Sequence, residues 1–387
     1  MKSDKNLWIL VLVCVINSLG FGIIVPVLYQ YGKTFGLTGT TLGILTASFS
    51  IAQFFATPIL GSLSDKWGRK PLLVISLAGT CISFLMFAGA RTLLVLFAAR
   101  ILDGLTGGNV SVAQAMVADT ATPQNRAKRF GILGSSLAFG FVIGPFVGGV
   151  FTNLSPQAPF FFAAAISFVG TLLALLLLKE TNPTSKKTRA GKRDKFKFIM
   201  LVTTLKRCTI GTAVFIGFLL TMAQFTMIIG FQTLSVDVLK ITATQIGLFL
   251  AAFGVCGIIM QLCVPLFTKL ISSKSLILIL STILCLVAMF CSGLTSAFVP
   301  YAVCTLVYAL FNGLRNPMLN AIIADNIDQK EQGQVLGINQ SYASIGQTLG
   351  PITAGLVTVI SIHSVFFLSS LYILIALILS FRLKKKE

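Results

Sequence analysis

Residues 130–178 and 332–381 contain no Asp, Glu, Lys or Arg. Shorter charge-free stretches separate Lys5 from Lys33, Lys70 from Arg91, Arg207 from Asp237, Lys240 from Lys269 and Lys274 from Arg315. Charged residues make up 11% of the 387 positions and hydrophobic ones 55%, against roughly 25% charged in an ordinary soluble domain. A water-facing surface cannot be built from so few charges, so the solvent for most of this chain is lipid.

At about 20 residues per crossing, the apolar stretches fit twelve helices, near residues 7–30, 42–63, 72–90, 94–118, 130–153, 159–178, 209–233, 244–268, 276–295, 299–324, 335–360 and 365–381. The first follows a short basic stretch, as a signal peptide would. It runs on for more than 20 apolar residues with no small-residue cleavage site, so it is expected to remain as span 1. Against this map, 25 of the 30 Lys and Arg lie on the side of the N-terminus, and only Lys33, Arg91 and Lys240 lie opposite. The positive-inside rule then places both termini and the central loop in the cytoplasm of a multi-pass inner (plasma) membrane protein. The net charge of +19 is read as membrane orientation and contact with anionic lipid, not nucleic-acid binding. Eight cysteines scattered through the spans show no metal-ligand spacing and read as small apolar residues.

Sliding the sequence by 206 positions lays Val117-Ala118-Asp119 on Ile323-Ala324-Asp325, and the match continues through Gly131/Gly337, Ser135/Ser341, Gly140/Gly346, Gly144/Gly350, Pro145/Pro351 and Gly149/Gly355. The chain therefore divides into two pseudo-symmetric six-helix halves, 1–178 and 208–387, joined by a polar, basic linker, 179–207. Repeated halves with a mid-membrane site between them are the architecture of alternating-access transporters.

The stretch Gly61-Ser62-Leu63-Ser64-Asp65-Lys66-Trp67-Gly68-Arg69-Lys70-Pro71 resembles the loop signature of the major facilitator superfamily. The resemblance implies a cytoplasmic gate latched by Gly61, Asp65, Gly68, Arg69 and Lys70; the glycine reads as room for close helix approach. Gly131, Gly140, Gly144, Pro145, Gly148 and Gly149 on span 5 are similar to the antiporter motif of the family's proton-driven drug exporters. Three of them recur every four residues and offer a smooth face for another helix, a pattern that also serves plain packing. Leu96, Arg100, Gly104 and Gly107 look like the family's buried-arginine motif, and Asn17 to Leu28 resembles span 1 of the tetracycline and multidrug exporters. The implied fold is an all-α membrane protein of twelve transmembrane helices, the major facilitator fold.

Two departures bear on coupling. Asn17 stands where many tetracycline-type exporters have an aspartate, and Ser83 where they have another. Of the eleven acids, only Asp103 falls inside a span away from its ends. A carboxyl group in low dielectric is driven toward its neutral form, as a proton carrier needs, so Asp103 is the proton-site candidate. Arg100, three residues earlier, supports the alternative of a permanent ion pair along the helix. Arg315 has no acid within a turn and needs a wet cavity, a substrate anion or a partner such as Asp103; Asn109 is its counterpart in the repeat. The polar positions Asn17, Gln114, Gln224, Asn312 and Asn316, with Arg100, Asp103, Asn109 and Arg315, are the expected substrate contacts, although each amide serves equally as glue between helices.

Enzymatic readings have little to stand on. HExxH, GxSxG, GxxxxGK[ST] and GxGxxG patterns are absent, and the sole histidine, His363, falls near the outer surface, which leaves no intramembrane histidine for acid–base catalysis. With no nucleotide-binding domain, a gradient is the expected energy source. The expectation is a monomeric secondary transporter, without cofactor or metal, that exchanges protons for small amphipathic compounds. Uptake of an organic anion, and lipid translocation or membrane sensing, are the alternatives.

Overall fold

The computed structural model describes residues 4–122, 125–182, 205, 208–271, 273–327 and 332–384. Most of the linker, together with Asp194, Asp328 and Glu331, lies outside the described residues. Among the described residues the chain is helical: α1 (Asp4–Lys33), α2 (Gly39–Trp67), α3 (Arg69–Ala88), α4 (Leu93–Thr106), α5 (Asn109–Thr120), α6 (Arg126–Phe151), α7 (Ala158–Leu177), α8 (Cys208–Thr233), α9 (Ala243–Leu262), α10 (Val264–Leu270), α11 (Lys274–Leu294), α12 (Phe298–Asp325), α13 (Gln332–Val357) and α14 (Ile362–Lys384). Eleven spans are long and apolar enough to cross a membrane. The more polar α13, at 26 residues, also exceeds the roughly 20 that a crossing requires.

Two expected spans are interrupted. Span 4 is α4 followed by α5, because Gly107 and Gly108 break the ladder, and the Gln53 side-chain amide donates to the freed Gly107 carbonyl at 3.1 Å. Neither piece alone, at 14 and 12 residues, reaches across about 30 Å of hydrocarbon at 1.5 Å per residue. Span 8 breaks at Cys263, ahead of Pro265 in the first turn of α10, where a ring without an N–H cannot continue the preceding helix.

The described chain forms two compact units. Unit 1 is Met1–Leu37, Ser48–Gly191 and Ile241–Ala251; unit 2 is Thr38–Ala47, Lys192–Lys240 and Ala252–Glu387. In unit 1, α1 packs on α6 and α7, and α3 on α4 and α7. In unit 2, α8 packs on α13 and α14, and α11 on α12 and α14. Each pairing in one unit has its repeat-related counterpart in the other, so the 206-residue repeat extends from sequence to packing.

Lipid tails are as apolar as leucine, so these helices associate through close backbone approach and interhelical hydrogen bonds. Gly140, Gly144 and Gly148 lay α6 against α1: a Cβ on Gly144 would stand 2.8 Å from Gly22 Cα and from the Leu19 carbonyl oxygen, and one on Gly148 2.5 Å from the Ile23 carbonyl oxygen. Gly346 and Gly350 do the same for α13 on α8, where the contacts are the carbonyl oxygens of Phe218 at 2.9 Å and Met222 at 2.7 Å. Gly149 and Gly355 serve a second contact. In unit 1 the opening turn of α9 lies on α6, with Thr244 donating to the Gly149 carbonyl at 2.9 Å. In unit 2 the opening turn of α2 lies on α13, with Thr40 donating to the Gly355 carbonyl at 2.9 Å. Gly131 has open space around it, so its place in the glycine motif is not one of close packing here.

Candidate functional site

The polar groups inside the spans of unit 1 gather on α1, α3, α4 and α5. Asn109 is buried and its amide donates to Asn17 Oδ1 at 2.6 Å, joining two of the expected substrate contacts across the α1/α5 seam. Ser83, also buried, donates to the Ala99 carbonyl at 2.9 Å and ties α3 to α4 beside Arg100. Arg100 and Asp103 are 3% and 7% exposed. No hydrogen bond joins them, although the two charges act on each other electrostatically. Arg100 lies over the rings of Phe49 and Phe87, 5.4 and 5.7 Å from their centroids, and its Nε and Nη1 have no hydrogen-bond partner among the described residues. The Thr80 hydroxyl reaches the Asp103 carboxylate.

In unit 2 the corresponding span carries Arg315, 1% exposed. Its Nη2 donates to the Tyr308 hydroxyl at 3.0 Å and to Asn312 Oδ1, and the guanidinium carbon lies 5.1 Å from the Tyr308 ring centroid. Gln224 is half-buried on α8, and Gln114 and Asn316 are exposed on α5 and α12; no hydrogen bond joins these three to the other expected contacts. Asn320, exposed, accepts from Asn339 at 3.2 Å. Tyr29, Tyr301 and Tyr308 are buried.

The loop signature builds a charge network at the junction of α2 and α3. Arg69 is its hub: it pairs with Asp65 at 2.6 Å and Asp119 at 3.1 Å and donates to Ser64 Oγ at 2.6 Å. Gly61 has open space where a Cβ would stand, so it is not the close-approach glycine that the motif suggested. Gly68 is required for its backbone, with φ of 102°, a conformation open to glycine and strained for other residues. With glycine at the N-cap of α3, no local side chain caps the helix. The missing cap arrives from 112 residues away, as Glu180 accepts from the backbone N–H groups of Arg69 and Lys70, both at 3.0 Å. It also accepts from Thr181 and Asn182, at 2.9 and 2.8 Å. In unit 2, Asp325 pairs with Lys274, the first residue of α11, as Asp119 pairs with the first residue of α3. That pair has no counterpart of Asp65, because Ile271 occupies the related position.

The network contains Ser64 and Glu180, and the separate pair in unit 2 contains Lys274, none of which the sequence reading singled out. The usable signal was physical: a helix opening on Gly-Arg-Lys leaves its first N–H groups without a local cap, and Glu180 is, after Asp119, the next acid expected on the same side. Partial desolvation opposes ionisation of Glu180, but the N–H groups of Asn182, Lys70, Arg69 and Thr181 outweigh it and hold the carboxyl below its ordinary range. The ionised form is favoured by folding, so this contribution is complete above the unfolded value of about 4.3 and is lost as pH falls through the lower folded value. Glu180→Gln is expected to cost at most about 1 kcal/mol at pH 7. The melting-temperature gap between wild type and variant should close as pH falls below about 4. Melts of purified protein in nanodiscs across pH 3 to 7 check this, and a pH-independent gap would refute it.

Comparison with known proteins places these features in context. Residues 10–229 and 213–387 each match the family model for the Major Facilitator Superfamily. The chain is 28% identical over 399 residues to Multidrug resistance protein 2 of Bacillus subtilis (strain 168), covering 100% of this chain and 97% of that protein. It is 29% identical over 368 residues to the class H tetracycline resistance protein of Pasteurella multocida, covering 90% and 88%. Among solved structures, a bacterial homologue of the human lysosomal transporter Spinster superposes with a TM-score of 0.82 at 12% identity, over 99% of this chain and 98% of that one.

Proposed function

The chain belongs to the major facilitator superfamily and is a membrane transporter and not an enzyme; from this we propose that it exports small amphipathic compounds in exchange for protons by alternating access. Asp103 carries the reading, as the only buried carboxylate among the described residues. No hydrogen bond ties it to Arg100, so a change of its charge state alters an electrostatic interaction and breaks no hydrogen-bonded pair. Proton binding and release at this position would bias the halves, 1–178 and 208–387, between their two orientations, since a ligand shifts an equilibrium only by its differential affinity for the two states. Asn17, Arg100, Asn109 and Gln114 on one half, with Gln224, Asn312, Arg315 and Asn316 on the other, would contact the compound. The Arg69 network would latch the cytoplasmic side, both termini would face the cytoplasm, and the protein would work as a monomer. Full-length similarity to multidrug and tetracycline resistance proteins supports the export direction.

The test is transport in reconstituted vesicles with tetracycline, a quinolone and an aromatic carboxylate under an imposed pH gradient. Uphill movement that collapses when the gradient is dissipated is the expected result. Flux that ignores the gradient would point to uptake or facilitated diffusion of an organic anion, the reading that Arg315 favours. Movement of labelled lipid alone would point to a translocase.

A further inference from the structure

Arg315 is the most completely enclosed charge among the described residues, at 1% exposure, and its surroundings leave it underused. Tyr308 and Asn312, both neutral, occupy only Nη2. Nε and Nη1 have no acceptor, although together they carry three N–H bonds. Arg100 differs, since Asp103 lies one turn away on its own helix. Two acids of unit 2 are described. Asp325 is ten residues along α12 and paired with Lys274, and ten residues of helix are about 15 Å. Asp237 lies in the short π-helical segment 234–238 that follows α8. A guanidinium without a counter-charge at membrane depth is costly and marks a ligand pathway or an ion site.

We propose that Arg315 is the receptor for the anionic group, a carboxylate or sulfonate, of an amphipathic aromatic ligand; the inference rests on the chain being a small-molecule transporter. A planar guanidinium matches such groups in geometry and charge. The apolar bed is also present: Tyr308 lies under the guanidinium at 5.1 Å, Phe253 lies against Tyr308 with ring centroids 6.2 Å apart, and Cys285 from α11 donates to the Tyr308 carbonyl at 3.6 Å. Half-buried Asn312 and exposed Asn316 flank Arg315 toward accessible surface. The Tyr308 and Asn312 bonds share one nitrogen, and an arriving anion exchanges with them while taking the unused donors. A neutral ligand cannot supply the missing charge.

The experiment uses the full chain in nanodiscs and two probes of the same shape, 1-naphthoate and neutral 1-naphthamide, with thermal stabilisation as the binding readout. Naphthoate should raise the melting temperature of the wild type, and naphthamide should not. Arg315→Gln should weaken naphthoate binding at least about tenfold while melting no lower than wild type without ligand, because it removes a buried charge whose hydrogen-bond partners are both neutral. Asn312→Asp keeps the side-chain shape and places a carboxylate against Nη2. It should raise the unliganded melting temperature and abolish naphthoate binding. Lys269→Gln, which removes an exposed charge of the same unit, should leave binding unchanged. Equal stabilisation by both probes, or naphthoate affinity within about threefold of wild type in Arg315→Gln or Asn312→Asp, would overturn the proposal. Arg315-dependent naphthoate binding without gradient-driven flux would leave it standing and remove the export reading. Proton-driven export by a protein that binds neither probe would do the reverse.

Discussion

A Gly144→Leu variant is expected to leave almost no folded protein in the membrane. A Cβ at this position would stand 2.8 Å from both Gly22 Cα and the Leu19 carbonyl oxygen. These are backbone atoms of α1 that cannot move aside as the end of a side chain can. Gly22 meets the same seam from the other side, with Gly144 Cα and Pro145 Cδ each 3.0 Å from its own ideal Cβ. A leucine would therefore have to part α1 and α6 along their length, an effect beyond the 4 to 5 kcal/mol that marks exceptional substitutions. Gly350→Leu, at the related position against Met222 and Thr226 of α8, should behave alike. Gly131→Leu, on the same α6 but in open space, should retain folded yield within about 0.5 kcal/mol of wild type. Folded yield by size-exclusion chromatography, followed by thermal melts, tests all three. A stable, active Gly144→Leu protein would show that the α1/α6 seam is not closed as described.

Asp103→Asn should produce the second large effect, loss of uphill transport without loss of protein. The substitution keeps shape, fixes the neutral state and preserves a hydrogen-bond acceptor for Thr80. Breaking a buried ion pair costs roughly 3 to 5 kcal/mol, but no hydrogen bond joins Asp103 to Arg100, whose charge rests on Phe49 and Phe87. The expected stability change is therefore below about 2 kcal/mol. Gradient-driven export should fall to background, while binding and downhill exchange of the same compound continue. If the variant exports normally, Asp103 is not the proton site; if the protein disappears, the carboxylate is a structural counter-charge for Arg100. Folded yield, binding and flux on this single variant separate the cases.

The amides show where sequence reasoning stops. Asn17 and Asn109 were legible as polar residues inside spans, but not that they bond to each other across 92 positions. The bond from Asn109 to Asn17 is one that needs no charge at position 17. Arg100 and Asp103, three apart on one helix, looked like partners by spacing alone. Their charges do act on each other, but two phenylalanines from α2 and α3 also offer the guanidinium a face within 6 Å, which spacing alone could not show.

Span positions, the repeat and the glycine face were readable from one dimension. Apolar length, offset similarity and a four-residue period are properties of the chain before it folds, and lipid leaves a continuous apolar segment few alternatives to a helix. Only the tertiary structure decided that α1 is the helix the α6 glycines receive, that Glu180 caps α3, that Asp325 holds Lys274, and that Arg315 keeps unused donors. Each depends on which helix ends and faces become neighbours. That choice is made by backbone approach and by the satisfaction of buried polar groups, and its partners lie from 3 to more than 110 residues apart with no local signal linking them.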